Sequence, residues 1–163
     1  MSYKNKIIYA FIDSQNLNLG VKSLGWVLDF AKFRIYLSEK YNVKKAYLFI
    51  GYVQGNDDLY TYLKNSEYIL VFKETVSRFK NKKVYTKGNV DAELVLQVLI
   101  ELNNYDKAIV VSGDGDFSCL IRYLDSKNKL YKIMVPNKKY SSLLRKYAKY
   151  IVNIGEIRDL VKK

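Results

Sequence analysis

Apolar residues fall along this chain in short, near-continuous runs. Five of them read as strands: 6–12 (KIIYAFI), 45–50 (KAYLFI), 68–73 (YILVFK), 107–111 (KAIVV) and 130–135 (LYKIMV). A strand with one wet face alternates apolar and polar residues, so unbroken runs predict strands covered on both faces. Between the runs, apolar positions take helical spacing at 29–41, 56–66, 90–104, 116–127 and 140–149. Residues 151–154 add a short candidate strand, and 156–162 a last helical turn. Alternating strands and helices predict a parallel sheet with right-handed crossovers. The expected fold is therefore a three-layer α/β domain with five or six strands in its central sheet.

Composition leaves that picture as one domain over residues 1–163. The length suits a single core. The one proline is Pro136, and no Pro/Gly/Ser-rich linker or repeat divides the chain. Cys119 stands alone, which excludes an internal disulfide and suits a reducing, cytoplasmic setting. The N-terminal apolar run is broken by Asp13, too early for a signal peptide. No run reaches the roughly 18 apolar residues of a membrane span, so no membrane partner is expected.

The absence of histidine narrows the chemistry. It excludes a Ser-His-Asp triad, a Cys-His pair and a zinc site of the usual kind. Carboxylates, lysines, tyrosines or a hard metal must carry any reaction. The net charge of +12 points to nucleic acid, another polyanion or an acidic protein as partner, or to a lysine-rich solvated surface. Residues 127–163 hold eleven basic residues against Glu156 and Asp159.

Ligands of open α/β sheets bind beyond the carboxyl ends of the strands. Asp13, in FIDSQN, follows the first strand there, and Asp114 and Asp116, in SGDGDF, follow the fourth. Asp91, in KGNVDAELVLQVLIELNN, opens a helix. At 100° per residue it falls within the arc of Leu94, Val95, Val98, Leu99 and Leu102, facing the sheet. Each aspartate alone reads as a helix N-cap. Together they bring four carboxylates to one edge, where they repel one another unless a cation sits among them. Oxygen ligands without histidine or thiolate suit Mg²⁺ or Mn²⁺. Asn16 either caps the segment after strand one or bonds a water or phosphate oxygen. Ser112 either stabilises the SGDGD turn or donates to a metal-bound water.

In order, FIDSQNL, KGNVDAELVL and VVSGDGDFSCLI resemble the NYN domain of the LabA-like group, within the PIN-like nuclease superfamily. The resemblance spans roughly residues 6–135. It implies a Rossmann-like PIN-like fold with an acidic Mg²⁺- or Mn²⁺-binding centre that hydrolyses RNA. Carried over, the motifs give Asp13 with Asn16, then Asp91 after Lys87 and Gly88, then Ser112, Asp114 and Asp116. Asp13, Asp91 and Asp114 are the implied metal ligands, Asp116 a fourth, and Asn16 a positioner. Many relatives carry an acid six positions after the lysine-glycine aspartate, where this chain has Gln97. Some members of such families act as RNA-binding or adaptor modules without cleavage, and a homodimer is unsurprising among them.

The segment SRFKNKKVYTKG, residues 77–88, leads into Asp91. Arg78, Lys80, Lys82, Lys83 and Lys87 offer a phosphate track, and Phe79 or Tyr85 a ring on which an unpaired base stacks, favouring single-stranded RNA. The alternative is a solvated hairpin or crossover loop. Residues 137–150 read as an amphipathic helix with Leu143, Leu144, Tyr147 and Ile151 inward. The expected function is a metal-dependent ribonuclease. A catalytically silent RNA-binding or protein-interaction module is the alternative, and an aspartate-nucleophile phosphatase ranks third, because FIDSQN lacks a second aspartate two places after Asp13.

Overall fold

The computed structural model describes residues 3–73, 76–80, 83–87 and 90–163, without the side chains of 76–80 and 83–87. Its strands are β1 (Ile8–Asp13), β2 (Val43–Gly51), β3 (Tyr68–Lys73), β4 (Val76–Lys80), β5 (Lys83–Lys87), β6 (Lys107–Val111), β7 (Leu130–Val135) and β8 (Ile151–Asn153). The α-helices are α1 (Ser14–Lys22), α2 (Phe30–Tyr41), α3 (Asp57–Asn65), α4 (Asp91–Ile100), α5 (Ser118–Ser126) and α6 (Arg158–Val161).

Six strands form one sheet in the order β3-β2-β1-β6-β7-β8, and every pairing in it is parallel. β4 and β5 pair antiparallel as a separate hairpin. From β1 the chain builds outward through β2 and β3, then returns to place β6 on the other side of β1. The switch point between β1 and β6 is where an open parallel sheet parts its crossovers and leaves a crevice.

All six residues of β1 are buried. Ile8, Ala10 and Ile12 enter the core beneath α1 and α2, with Leu17, Phe33 and Leu37. Tyr9 and Phe11 enter the opposite core, with Leu94 and Val98 of α4 and Leu120 and Leu124 of α5. Both faces are covered, which accounts for the unbroken apolar run. Tyr9 and Tyr47 are core residues, their rings 6.0 Å apart.

Several local readings need correction. α1 was not among the expected helices, because SQNLNLGVK is mostly polar and only Leu17 and Val21 anchor it, one turn apart. Residues Ser142–Tyr150 wind as 3₁₀ helix with a break at Tyr147, not as an α-helix. At three residues per turn, Leu144 and Tyr147 share the inner face and Leu143 is turned out, 57% exposed. On α4 the buried stripe is Leu94 and Val98, while Leu99 lies beyond it and is exposed. Of the basic segment 77–88, the backbone of Arg78, Lys80, Lys83 and Lys87 falls in the hairpin strands. The side chains of these four residues, and the whole of Lys82 and Gly88, lie outside the described residues.

Gly20 fixes how α1 meets the end of β7. A Cβ there would run into the ring of Pro136. The Gly20 carbonyl accepts a 2.9 Å hydrogen bond from Asn137 Nδ2. Alanine is the better helix former by about 1 kcal/mol, so propensity and packing oppose each other in Gly20→Ala. Packing should win, because the proline ring cannot swing aside, and urea unfolding should show a net loss of about 1–3 kcal/mol. A more stable variant would mean that α1 and Pro136 are not in close contact.

Candidate metal centre

β1 delivers Asp13 to the carboxyl edge of the sheet, where it becomes the N-cap of α1. The Asn16 backbone N–H donates to Asp13 Oδ1 at 3.2 Å. Beside it, β6 runs out into Ser112-Gly113-Asp114. Ser112 is 2% exposed; its Oγ lies 3.5 Å from Asp13 Oδ2 and accepts the Asp114 N–H at 3.1 Å. The Gly113 N–H donates to Asn16 Oδ1 at 2.9 Å, tying α1 to the turn. Asp114 caps the short 3₁₀ turn Gly115–Phe117, accepting from the Asp116 N–H at 2.9 Å. Asp91 is the first residue of α4, whose N-cap Val90 has no side chain to offer the helix end.

Three elements remote in sequence thus bring Asp13, Asp91 and Asp114 together. One carboxylate oxygen from each lies within 4.8 Å of the others. They line a cleft of about 670 Å³ with Asn16, Gln15, Lys139 and Tyr140. At such separations each pair of ionised carboxylates repels by roughly 3–4 kcal/mol at an effective dielectric near 20. Burial pushes the Asp13 carboxyl up to about 6; the Asn16 N–H pulls it back, the charges of Asp91 and Asp114 push it further, and the Ser112 hydroxyl lowers it. The donor set is wholly oxygen, negatively charged and partly withdrawn from water. It fits a hard divalent cation such as Mg²⁺ or Mn²⁺.

Capping and cation binding do not compete here. A carboxylate has about four acceptor directions, and a cap uses one. The other candidates fall into place around the three. Asn16 commits its carbonyl oxygen to the Gly113 N–H. Ser112 is buried and bridges Asp13 and Asp114. Asp116 is exposed and lies outside the three-carboxylate group. Gln97 donates from Nε2 to Glu101 Oε1 at 3.2 Å along its own helix.

Sequence reasoning missed Lys139 and Tyr140, which follow β7 and reach the cleft because β7 lies beside β6. It also missed Glu93, two residues after Asp91. Glu93 Oε2 is shut off from solvent, 3.6 Å from Lys73 Nζ at the end of β3. Only the sheet order could have revealed either, since no local pattern marks them.

The fold and site define an all-parallel α/β domain with a carboxylate cluster at its switch point. The NYN domain model matches residues 8–155, and the chain belongs to that family, within the PIN-like nuclease superfamily. NYN domains are generally nucleases. The low amplitude and bright protein LabA of Synechococcus elongatus is 22% identical over all of this chain and 91% of its own length. A crystal structure of a protein of unknown function from Vibrio parahaemolyticus superimposes with a TM-score of 0.76 at 23% identity, covering all of both chains. It supports the fold. No helix among the described residues is long and apolar enough to cross a membrane.

The raised Asp13 value fixes the sign of a stability test. Between about 4 and 6 the folded chain holds a proton that the unfolded chain has released, so without divalent metal stability falls as pH rises through that window. The loss is on the order of 3 kcal/mol and persists above it. Asp13→Asn keeps a capping oxygen and removes the charge. In EDTA at pH 7.5 the variant should melt higher than the parent, and it should lose the rise in melting temperature that Mn²⁺ gives the parent. A variant that is less stable in EDTA would contradict a strained Asp13.

Proposed function

We propose that this protein is a metal-dependent ribonuclease that hydrolyses RNA phosphodiester bonds at the Asp13–Asp91–Asp114 centre, with Mg²⁺ or Mn²⁺ held by those side chains. The observation that carries the reading is the gathering of three carboxylate oxygens within 4.8 Å at the switch point of the sheet. A bound divalent ion supplies an activated water and charge neutralisation at the phosphoryl group without a histidine base.

The remaining roles belong to the chain itself. Ser112 and Asn16 lock Asp13, Gly113 and Asp114 into one rigid arrangement through the bonds already described. Asp116 steadies Asp114 through its backbone N–H. Lys139, on the cleft wall, places a cation where a phosphate oxygen would otherwise meet only carboxylates. The basic residues Arg78, Lys80, Lys82, Lys83 and Lys87 of the segment that precedes Asp91 supply positive charge for the phosphates of a bound strand. With Phe79 and Tyr85 on the same segment, the preferred substrate is single-stranded RNA.

A second reading, RNA binding without turnover, draws on the acids gathered among the described residues, three rather than four, with Gln97 turned to Glu101. Labelled single-stranded RNA incubated with Mn²⁺, Mg²⁺ or EDTA separates the two. Cleavage should require metal and vanish in Asp114→Asn, a loss beyond the roughly 10- to 100-fold usual for outer-shell changes. Salt-sensitive binding without cleavage under any ion would favour the silent module. Ser112→Ala should keep metal-dependent activity while lowering it by about 10- to 100-fold; full activity would mean that the Asp13–Ser112–Asp114 bridge does not position the ligands.

A further inference from the structure

A second groove, of about 420 Å³, opens on the other side of α1. Gln15 lines both it and the acidic cleft, so the two open on either side of the first turn of α1. Its walls are apolar: Val53 and Leu59, after β2 and on α3, and Val27 and Tyr62 are each 40–42% exposed. Three side-chain amides, of Gln15, Asn18 and Asn56, stand around it. Asn56 is the N-cap of α3 yet makes no side-chain capping bond, and Gln15 and Asn18 make no side-chain hydrogen bond among the described residues. The charged side chains at its edge, Lys22 and Lys163, are cationic.

We propose that this groove is a nucleobase subsite, holding a base of the RNA strand next to the nucleotide whose phosphate lies at the acidic centre. This rests on the ribonuclease reading for the strand's path. Apolar walls suit the faces of a base, and uncommitted amides, each with donors and an acceptor, suit its Watson–Crick edge. The lysines suit the adjoining phosphate, and the absence of acidic side chains from the lining favours a polyanion. Asp13 pairs with Phe49 of β2, whose neighbours Leu48 and Ile50 line the groove, so the acidic centre and the groove share one edge of the sheet.

The test is equilibrium binding, in EDTA and at one salt concentration, of a short single-stranded RNA and of the same strand with abasic sites. Both are measured against the parent protein, Leu59→Ala and Asn56→Ala. Leu59 is exposed and Asn56 contributes no cap bond, so neither change threatens the fold; circular dichroism and melting check this. The parent should bind the base-bearing strand more tightly. Each variant should lose about tenfold in affinity for that strand, the scale of one base contact, and none for the abasic strand. Equal parent affinity for both strands, no binding of either, or unaltered binding by the variants would overturn the subsite. So would concentration-dependent dimerisation that Leu59→Ala abolishes, since a second copy would then fill the groove. Base-dependent binding without cleavage under any metal would remove the nuclease reading and leave the subsite. Metal-dependent cleavage without base dependence would do the reverse.

Discussion

A carboxylate almost sealed from water at the end of the central strand is the constraint around which the rest of this protein is arranged. Asp13 is 5% exposed and has two further carboxylates beside it. Left alone, such a group takes up a proton or unfolds its surroundings. Two features soften the cost: the Asn16 N–H and the Ser112 hydroxyl bond it directly, and it sits at the N-terminus of α1, where the macrodipole favours negative charge. Neither brings it back to the ordinary carboxylate range. The residual strain is of the kind a divalent cation relieves, and the fold leaves open the cleft through which one would enter.

The sheet order explains why the site is here. Crossovers from β1 and from β6 run to opposite faces of the sheet, so the helix N-termini that follow these strands diverge around a crevice. Asp13 and Asp114 are placed by the strands themselves, which are wholly buried and have little freedom to move. Asp91 is placed by α4, whose Leu94 and Val98 are buried in one core with Phe11 and Val110. A centre built on packed elements can hold its ligands to the tolerance a metal requires. The Asn16–Gly113 bond closes the crevice floor and makes α1 and the SGDGD turn one unit.

Legibility from sequence followed the range of the interaction. The central strands were readable because burial on both faces leaves an unbroken apolar run, and Asp13 and Asp114 were readable because each directly follows such a run. Asp91 was placed by helical periodicity, which needs only the residues of one helix. Direction was not readable for Asp116, because the spacing in SGDGD says nothing about it: the 3₁₀ turn leaves Asp116 exposed, outside the group that Asp114 joins. Ser142–Tyr150 was misread for a related reason, since apolar spacing at three and four residues fits either helix type over so short a span. Lys139, Tyr140 and the Lys73–Glu93 pair depend on which strands are neighbours, and that is settled only by the whole chain.

Asp29 supplies the comparison that decides how the aspartate turns should be understood. It caps α2 just as Asp13 caps α1, accepting the Lys32 N–H at 3.0 Å, and it also accepts from the exposed Tyr62 hydroxyl at 3.3 Å. Among the described residues it joins no group of carboxylates. A cap needs nothing more. The additional features of Asp13 are deep burial, a serine bridge to a second aspartate and a third carboxylate delivered from α4. None of them is needed for helix capping: burial and the two neighbouring carboxylates raise the cost of the charge, and the serine recovers only part of it. The three carboxylate oxygens surround one point, and a cation there would turn their mutual repulsion into attraction.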